Sequence, residues 1–205
     1  RKIASKGGRI ILSTGMSTID EVKDAVTALS LGGVDKKDIY LLHCTTQYPT
    51  PHEAVNLRAM DSLKELGCAG VGYSDHTKGI LVPIAAVARG AEIIEKHFTL
   101  DHDMPGPDHK ASLSTDELKE MVSSIREVEK ILGSEIKEVT ATEQPNITVA
   151  RKSIVASRPI RKGESLTDHN ITTKRPGSGI SPMLWDSVIG SHAIRDFLTD
   201  EPIEI

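Results

Sequence analysis

The first two thirds of the chain alternate between short apolar, β-branched segments and longer amphipathic ones. Strand patterns occur at Ile10–Ser13, Ile39–His43, Gly70–Ser74 and Glu92–Phe98. Helical spacing of apolar residues predicts helices at Thr18–Leu29, Asn56–Leu66, Leu81–Arg89 and Thr115–Leu132. Two of these helices begin with a capping-box pattern, Thr18 with Glu21 and Ser114 with Glu117. Regular strand–helix alternation predicts parallel βαβ units, in either an open doubly wound sheet or a closed barrel.

The pattern changes after Gly133. Residues 136–149 are polar and turn-like, which is typical of a linker. Short strand patterns follow at Ser153–Ala156, Ile160–Leu166, Ile171–Lys174, Val188–Ala193 and Pro202–Ile205. We therefore predict a β/α domain over residues 1–135 and a small, mostly β domain over residues 150–205. A domain of that size has a marginal core.

Composition narrows the class of protein. The chain has 38% apolar and 26% charged residues and a net charge of −4, without the basic stripe of a nucleic-acid platform. Its apolar runs are too short to predict a membrane span. The two cysteines form no disulfide framework, which favours a reducing, cytoplasmic location. Because the sequence begins at Arg1 and not at Met, we expect it to be part of a longer protein.

Polar side chains follow each of the four predicted strands. They are Ser13-Thr14-Gly15, His43-Cys44-Thr45, Ser74-Asp75-His76 and, around the fourth strand, Glu95, His97 and Asp101–His109. The active sites of β/α barrels lie at the carboxyl ends of the strands, where successive loops converge. Four such clusters in a row therefore predict a site at that end.

His76 and His97 are the best candidates for metal ligands, because imidazole is the commonest side-chain ligand of transition metals. The alternative is that either histidine is a structural residue of the core. Glu95 lies two positions before His97, on the same face of its strand. A carboxylate in a barrel interior is costly to bury without a partner or a cation, which favours the metal site. His43, preceded by two leucines, fits a structural role equally well.

Two further segments could contact a substrate. Pro105-Gly106-Pro107-Asp108 is either a rigid loop that presents one carboxylate to the site or a surface turn. Ser13 and Thr14 lie close to the start of a predicted helix, where they offer hydrogen-bond donors to a phosphate. The same residue types also cap helices, so this signal alone is weak.

Several motifs in order make the chain resemble one family. They are Ile11-Leu12-Ser13-Thr14-Gly15-Met16, His43-Cys44-Thr45 with Tyr48-Pro49, Gly72-Tyr73-Ser74-Asp75-His76-Thr77, Glu95-Lys96-His97-Phe98-Thr99 and Pro105-Gly106-Pro107-Asp108. Together they resemble the sialic acid synthases, which condense phosphoenolpyruvate with an N-acetylated amino sugar. The second domain, with Lys174-Arg175-Pro176-Gly177, is similar to the antifreeze-like (SAF) domain of that family.

The resemblance implies a fold and an activity. The fold would be the C-terminal part of a (β/α)8 TIM-type barrel followed by a SAF domain of the β-clip type. The reaction would join phosphoenolpyruvate to N-acetylmannosamine, giving N-acetylneuraminate and phosphate. It would need a divalent metal, with Mn²⁺ expected and Mg²⁺ or Co²⁺ as alternatives. The partner would be a second copy of the chain, in a domain-swapped homodimer.

The resemblance also implies roles for individual residues. His76 and His97 match metal ligands, and Glu95 and Asp108 match carboxylates beside the sugar hydroxyls. Ser13 and Ser74 match residues around phosphoenolpyruvate, and Tyr48 matches the substrate pocket. Arg175 matches an arginine that the SAF domain extends into the partner's barrel. The family's N-terminal half-barrel, with its phosphoenolpyruvate-binding lysines, is not in this sequence.

Other interpretations remain open. Legionaminic and pseudaminic acid synthases share the same motifs and use 2,4-diacetamido sugars. A SAF module on an inactive barrel would be a binding protein, although all the candidate site residues are intact. A metal-dependent aldolase would not need Ser13-Thr14-Gly15 and would leave the second domain unexplained.

Overall fold

The computed structural model describes all residues from Arg1 to Ile205 and divides into two units, Arg1–Ser134 and Glu135–Ile205. The first unit contains the strands β1 (Ile10–Ser13), β2 (Ile39–Cys44), β3 (Gly70–Asp75) and β4 (Ile94–Lys96). Its helices are α1 (Ile19–Leu31), α2 (Ala59–Lys64), α3 (Leu81–Ala88) and α4 (Thr115–Leu132). The strands are parallel and adjacent in the order β1-β2-β3-β4. The predicted βαβ repetition is confirmed, and the curled sheet has half the strands of a (β/α)8 barrel.

Local sequence accounts for the helix starts. Thr18 and Ser114 each form a complete capping box with the glutamate three residues on. Each threonine or serine hydroxyl accepts a hydrogen bond from the glutamate N–H, and each glutamate carboxylate accepts one from the cap residue's N–H. These contacts satisfy donors that a helix start would otherwise leave unpaired.

Two predicted elements were too long. The predicted strand Glu92–Phe98 is reduced to β4, because its ladder with β3 runs only from Tyr73↔Ile94 to Asp75↔Lys96. The predicted helix Asn56–Leu66 is reduced to α2, since Asn56 adopts a positive φ of 47° that breaks helical geometry. Both errors are at element ends, where tertiary contacts decide the boundary.

The two faces of the sheet differ in burial. The outer face packs against the helices, and Ile39, Leu41 and Val71 on it are 0–2% exposed. On the inner face, Ile11 of β1 is 54% exposed and Glu95 of β4 is exposed, whereas Leu42 of β2 and Ser74 of β3 are 0% and 2% exposed. The alternation follows from the period of two along a strand.

The second unit has a small core of its own. Its strands β5 (Ser153–Ala156) and β6 (Ile171–Lys174) pair antiparallel. Its short helices are α5 (Asn146–Ala150) and α6 (Trp185–Val188). Nine buried residues form its core: Ile154, Ala156, Ile160, Leu166, Ile171, Val188, Ala193, Phe197 and Ile203. Trp185, the one tryptophan of the chain, packs partly buried against this core.

Three strands predicted for the second unit are absent. Ile160–Leu166, Val188–Ala193 and Pro202–Ile205 contribute only isolated bridges, such as Ile160↔Phe197 and Ser165↔His192. Val188 ends α6, and the predicted linker contains the start of α5. Short segments that bury single side chains satisfy the apolar pattern without forming ladders.

The structure has no helix that combines the length and the apolar character needed to cross a membrane.

Candidate active site

The inner face carries a row of polar groups across three strands. Cys44, Ser74 and Glu95 occupy the same register position on β2, β3 and β4. The Ser74 hydroxyl donates a 2.7 Å hydrogen bond to Glu95 Oε1. Ser74 is buried, but Glu95 is exposed in this chain. The sequence argument treated Glu95 as a buried carboxylate, and this was wrong for the chain because four strands leave the inner face open.

The two candidate histidines lie just beyond this row. The His76 and His97 rings are 5.5 Å apart, edge to face. The Tyr48 ring lies 4.1 Å from His76 and 5.5 Å from His97, between centroids. The loops after β2, β3 and β4 therefore bring one residue each into a single cluster, as the carboxyl ends of parallel strands do in barrels.

The hydrogen-bond partner of His76 indicates which of its two ring nitrogens carries the proton. His76 Nδ1 is 2.8 Å from the carbonyl oxygen of Thr45, which can only accept a hydrogen bond. The neutral ring therefore carries its proton on Nδ1 and leaves the lone pair of Nε2 available. Ser74 Oγ lies 3.5 Å from that Nε2. An anchored Nδ1–H is the usual arrangement behind a metal-binding imidazole.

The remaining candidates are placed differently. Asp108 Oδ2 lies 3.9 Å from His97 Nδ1, at the border of the cluster. Ser13 is exposed at the end of β1, on the same sheet face but separated from Ser74 by β2. Arg175 follows β6 in the second unit, where its Nε donates to the Ala150 carbonyl oxygen at 2.9 Å. The first-unit cluster therefore consists of His76, His97, Tyr48, Ser74, Glu95 and Asp108.

The donor set fits a metal only in part. No three His, Cys, Asp or Glu side chains converge closely enough to hold an ion. His76 and His97 are two adjacent imidazoles, and catalytic metal sites leave positions open for substrate oxygen and water. The predicted metal would thus have two candidate protein ligands here, and it stays a prediction.

Burial sets the protonation of two neighbouring groups. Burial raises the pKa of the Tyr48 phenol, and nearby acidic groups, Cys44 among them, raise it further. Burial also raises the pKa of the Cys44 thiol, so Cys44 is a neutral thiol at pH 7. Tyr48 can therefore donate a hydrogen bond to a ligand, and Cys44 is not an activated nucleophile.

His43 belongs to the opposite face. Its Nε2 lies 2.8 Å from the Val55 carbonyl oxygen, and its ring lies 5.7 Å from that of Tyr73 on the helix side of the sheet. His43 is thus a structural histidine, the interpretation that the preceding leucines left open.

The sequence reasoning gave no role to a buried ion pair directly behind the cluster. Lys96 Nζ lies 2.5 Å from Asp75 Oδ2, and the side chains are 3% and 0% exposed. Strand alternation could have found the pair, because each residue lies next to a candidate site residue and points to the other face. The Thr45 carbonyl, a backbone group, has no such sequence signal.

Gly15 explains how closely two loops approach each other. A Cβ atom at Gly15 would lie 2.6 Å from Thr46 Oγ1 and 3.1 Å from Cys44 Sγ. The loop after β1 therefore lies against these two side chains with no room for a side chain of its own at this position.

The chain is similar to known proteins along almost its whole length. A sequence model of the NeuB family matches residues 1–137, and one of the SAF domain matches residues 151–204. The chain is 50% identical over 203 residues to the N,N'-diacetyllegionaminic acid synthase of Campylobacter jejuni, covering 99% of this chain and 61% of that protein. It is 38% identical over 174 residues to the human N-acetylneuraminate-9-phosphate synthase, covering 84% and 48%.

A solved structure is also similar. The N-acetylneuraminic acid (sialic acid) synthetase of Leptospira borgpetersenii, in complex with citrate, matches with a TM-score of 0.65 and 39% identity, over 71% of this chain and 50% of that one. The chain thus spans between 48% and 61% of the length of these three proteins. The sequence resemblance and the fold class that it implied are confirmed. The chain belongs to the NeuB family and carries that family's half-barrel together with a SAF domain.

Proposed function

We propose that this chain forms the histidine-bearing half of an active site that condenses phosphoenolpyruvate with an N-acetylated amino sugar. The products would be a nonulosonic acid and phosphate. The observation that supports this most directly is the cluster of His76, His97 and Tyr48 beside the Ser74–Glu95 hydrogen bond, in a chain of the NeuB family. Because four strands cannot close an eight-stranded barrel, activity is a property of a complete-barrel protein carrying this chain.

The proposed cofactor is a divalent metal, preferably Mn²⁺. When bound, the ion would supply Lewis-acid polarisation of the aldehyde oxygen of the open-chain sugar. His76 would bind through Nε2, since Thr45 holds its Nδ1 proton. His97 would bind beside it, and Asp108 Oδ2 lies 3.9 Å from His97 Nδ1, beyond hydrogen-bond distance.

The acidic side chains would act on the sugar. Ser74 occupies one oxygen of Glu95, which leaves Oε2 to accept a sugar hydroxyl or to move a proton. Asp108 presents its carboxylate from the loop after β4 and could hold another hydroxyl. Tyr48 remains a phenol at pH 7 and can donate a hydrogen bond to the substrate.

Phosphoenolpyruvate would lie across the inner face. Ser13 at the end of β1 offers a hydroxyl donor there, and Ser74 lines the same face. The remaining charge of the phosphate and carboxylate would be neutralised by the strands that complete the barrel. In a domain-swapped homodimer, Arg175 of the partner's SAF domain would contact the N-acetyl group of the sugar.

Two kinds of sugar are candidates for the second substrate. N-acetylmannosamine is the substrate expected from the sequence motifs. A 2,4-diacetamido sugar is favoured by the 50% identity to a named legionaminic acid synthase, against 38% to the human N-acetylneuraminate-9-phosphate synthase. Since both relatives cover most of this chain, we give the 2,4-diacetamido sugar priority in the assay.

The test is Mn²⁺-dependent release of phosphate from phosphoenolpyruvate by a complete-barrel protein carrying this chain. N-acetylmannosamine and the legionaminic- and pseudaminic-type 2,4-diacetamido sugars are supplied separately, with a chelator control. Phosphate release with one sugar, abolished by the chelator, supports the proposal and identifies the substrate. Mn²⁺ binding without release from any sugar would contradict it and favour a binding module or an aldolase.

A further inference from the structure

The buried pair Asp75–Lys96 lies behind the histidine cluster and takes no part in the proposed chemistry. Lys96 Nζ contacts Asp75 Oδ2 at 2.5 Å and also donates to the Thr77 carbonyl oxygen. Asp75 Oδ1 accepts from the Thr77 N–H and Oδ2 from the Thr77 hydroxyl, each at 3.0 Å. Both charges are thus satisfied inside the protein.

The pair is placed where the sheet ends. Asp75↔Lys96 is the last register position between β3 and β4. His76 and His97 each follow one member of the pair by one residue, beyond the last backbone pairing of these two strands. The ion pair is therefore the last direct link between β3 and β4 before the two histidines.

Stability alone does not explain such a pair. Removing two charges from water is costly, and buried ion pairs are often replaceable by apolar residues without loss of stability. A fixed distance between two chain segments is a better-supported use, because an ion pair with several hydrogen bonds has a narrow range of geometries. Here the segments that it fixes carry the two imidazoles.

We propose that Asp75, Lys96 and Thr77 are positioning residues that hold the ends of β3 and β4 so that His76 and His97 bind one divalent ion. The inference rests on the proposed function, which supplies the metal, and adds residues on the opposite face of the sheet to that site. None of the three touches substrate or metal.

The test measures Mn²⁺ affinity directly, from the free-Mn²⁺ signal in EPR titrations of the complete-barrel protein. The deciding variant is the double substitution Asp75→Asn with Lys96→Met, which removes both charges and keeps an acceptor for the Thr77 N–H. We expect the thermal midpoint to stay close to that of the unaltered protein and the affinity for Mn²⁺ to fall about tenfold, as for other groups that orient metal ligands.

A milder variant and a control variant complete the test. Thr77→Val removes one hydrogen bond to Asp75 without changing side-chain shape, and we expect a smaller loss of affinity. Asp61→Asn removes an exposed ion pair with Arg89 in the same unit, and we expect unchanged affinity.

The outcomes separate this inference from the proposed function. Native Mn²⁺ affinity in both the double variant and Thr77→Val would overturn the positioning role alone. Absence of Mn²⁺ binding in the unaltered protein would overturn the metal site itself. A lower affinity in Asp61→Asn equal to that of the double variant would also overturn the inference, because any lost ion pair would then have the same effect.

Discussion

The inner and outer faces of the four-stranded sheet are built from the same strands but differ in almost every property. The outer face is closed by helices and holds fully buried residues such as Leu41 and Ile39. The inner face is exposed at Ile11 and Glu95, is buried at Leu42 and Ser74, and carries a cluster of histidine, tyrosine and acidic side chains at its edge. The comparison shows that the candidate site residues lie on one face, while the other face supplies the packing against the helices. Substitutions should therefore separate stability from activity according to the face on which they lie.

The largest expected effect is on turnover. His97→Ala or His76→Ala in a complete-barrel protein should reduce Mn²⁺-dependent phosphate release to background, because each change removes one of the two proposed imidazole ligands. The thermal midpoint should change little for His97, whose side chain is 35% exposed.

Phosphate release and thermal melting are measured on the same preparations, with His52→Ala, an exposed histidine outside the cluster, as the control. Near-normal turnover in both cluster variants would contradict a catalytic role for the inner face of the sheet.

The next effect is on stability. Leu41→Ala on the outer face should lower the free energy of unfolding by about 3 kcal/mol, since it leaves a cavity at a fully buried position. Ile11→Ala on the inner face should change it by no more than about 0.5 kcal/mol in this chain. Urea denaturation followed by far-UV circular dichroism measures both, and equal losses would contradict the difference between the faces.

Gly72→Ala sharpens the comparison, because it places a methyl group on the inner face and should still destabilise the chain. The added Cβ would lie 2.5 Å from the Ile93 carbonyl oxygen and 2.5 Å from a Leu42 methyl group. We expect a loss of about 1–3 kcal/mol, the usual cost of overpacking. An unchanged urea midpoint would show that the strands move apart easily at this position.

The smallest effect concerns the helical layer behind the outer face. Ser114→Ala should cost about 1 kcal/mol, because it removes one half of a capping box. Ser123→Ala, at an exposed position within the same helix, should stabilise slightly through helix propensity. Opposite shifts of the urea midpoint would confirm the cap, and shifts of the same sign would contradict it.

Sequence reasoning was most successful where the determinants are local. The bounds of β1 and α4 were predicted correctly, the latter because a capping box fixes its start and Gly133 follows its end. The predicted β4 and the strand at Ile160–Leu166 were wrong in extent or type. Their states depend on partners far along the chain, Tyr73 for the start of β4 and Phe197 for Ile160.

The sequence predicted which residues lie in the candidate site, but not the hydrogen bonds that hold them or their exposure to solvent. Alternation and the strand-end rule placed His76, His97 and Glu95 together. The Thr45 carbonyl that anchors His76 is a backbone atom, and its position depends on how one loop folds. Glu95 lies on the last strand of a four-stranded sheet, which leaves its side chain exposed in this chain.

The distribution of aromatic residues has a spectroscopic consequence. Trp185 is the sole tryptophan and packs on the core of the second unit, whereas Tyr40, Tyr48 and Tyr73 all lie in the first. Selective excitation of the indole would therefore follow the melting of the SAF domain without a contribution from the tyrosines of the half-barrel. The chain thus carries an intrinsic optical probe of its second unit, which needs no label.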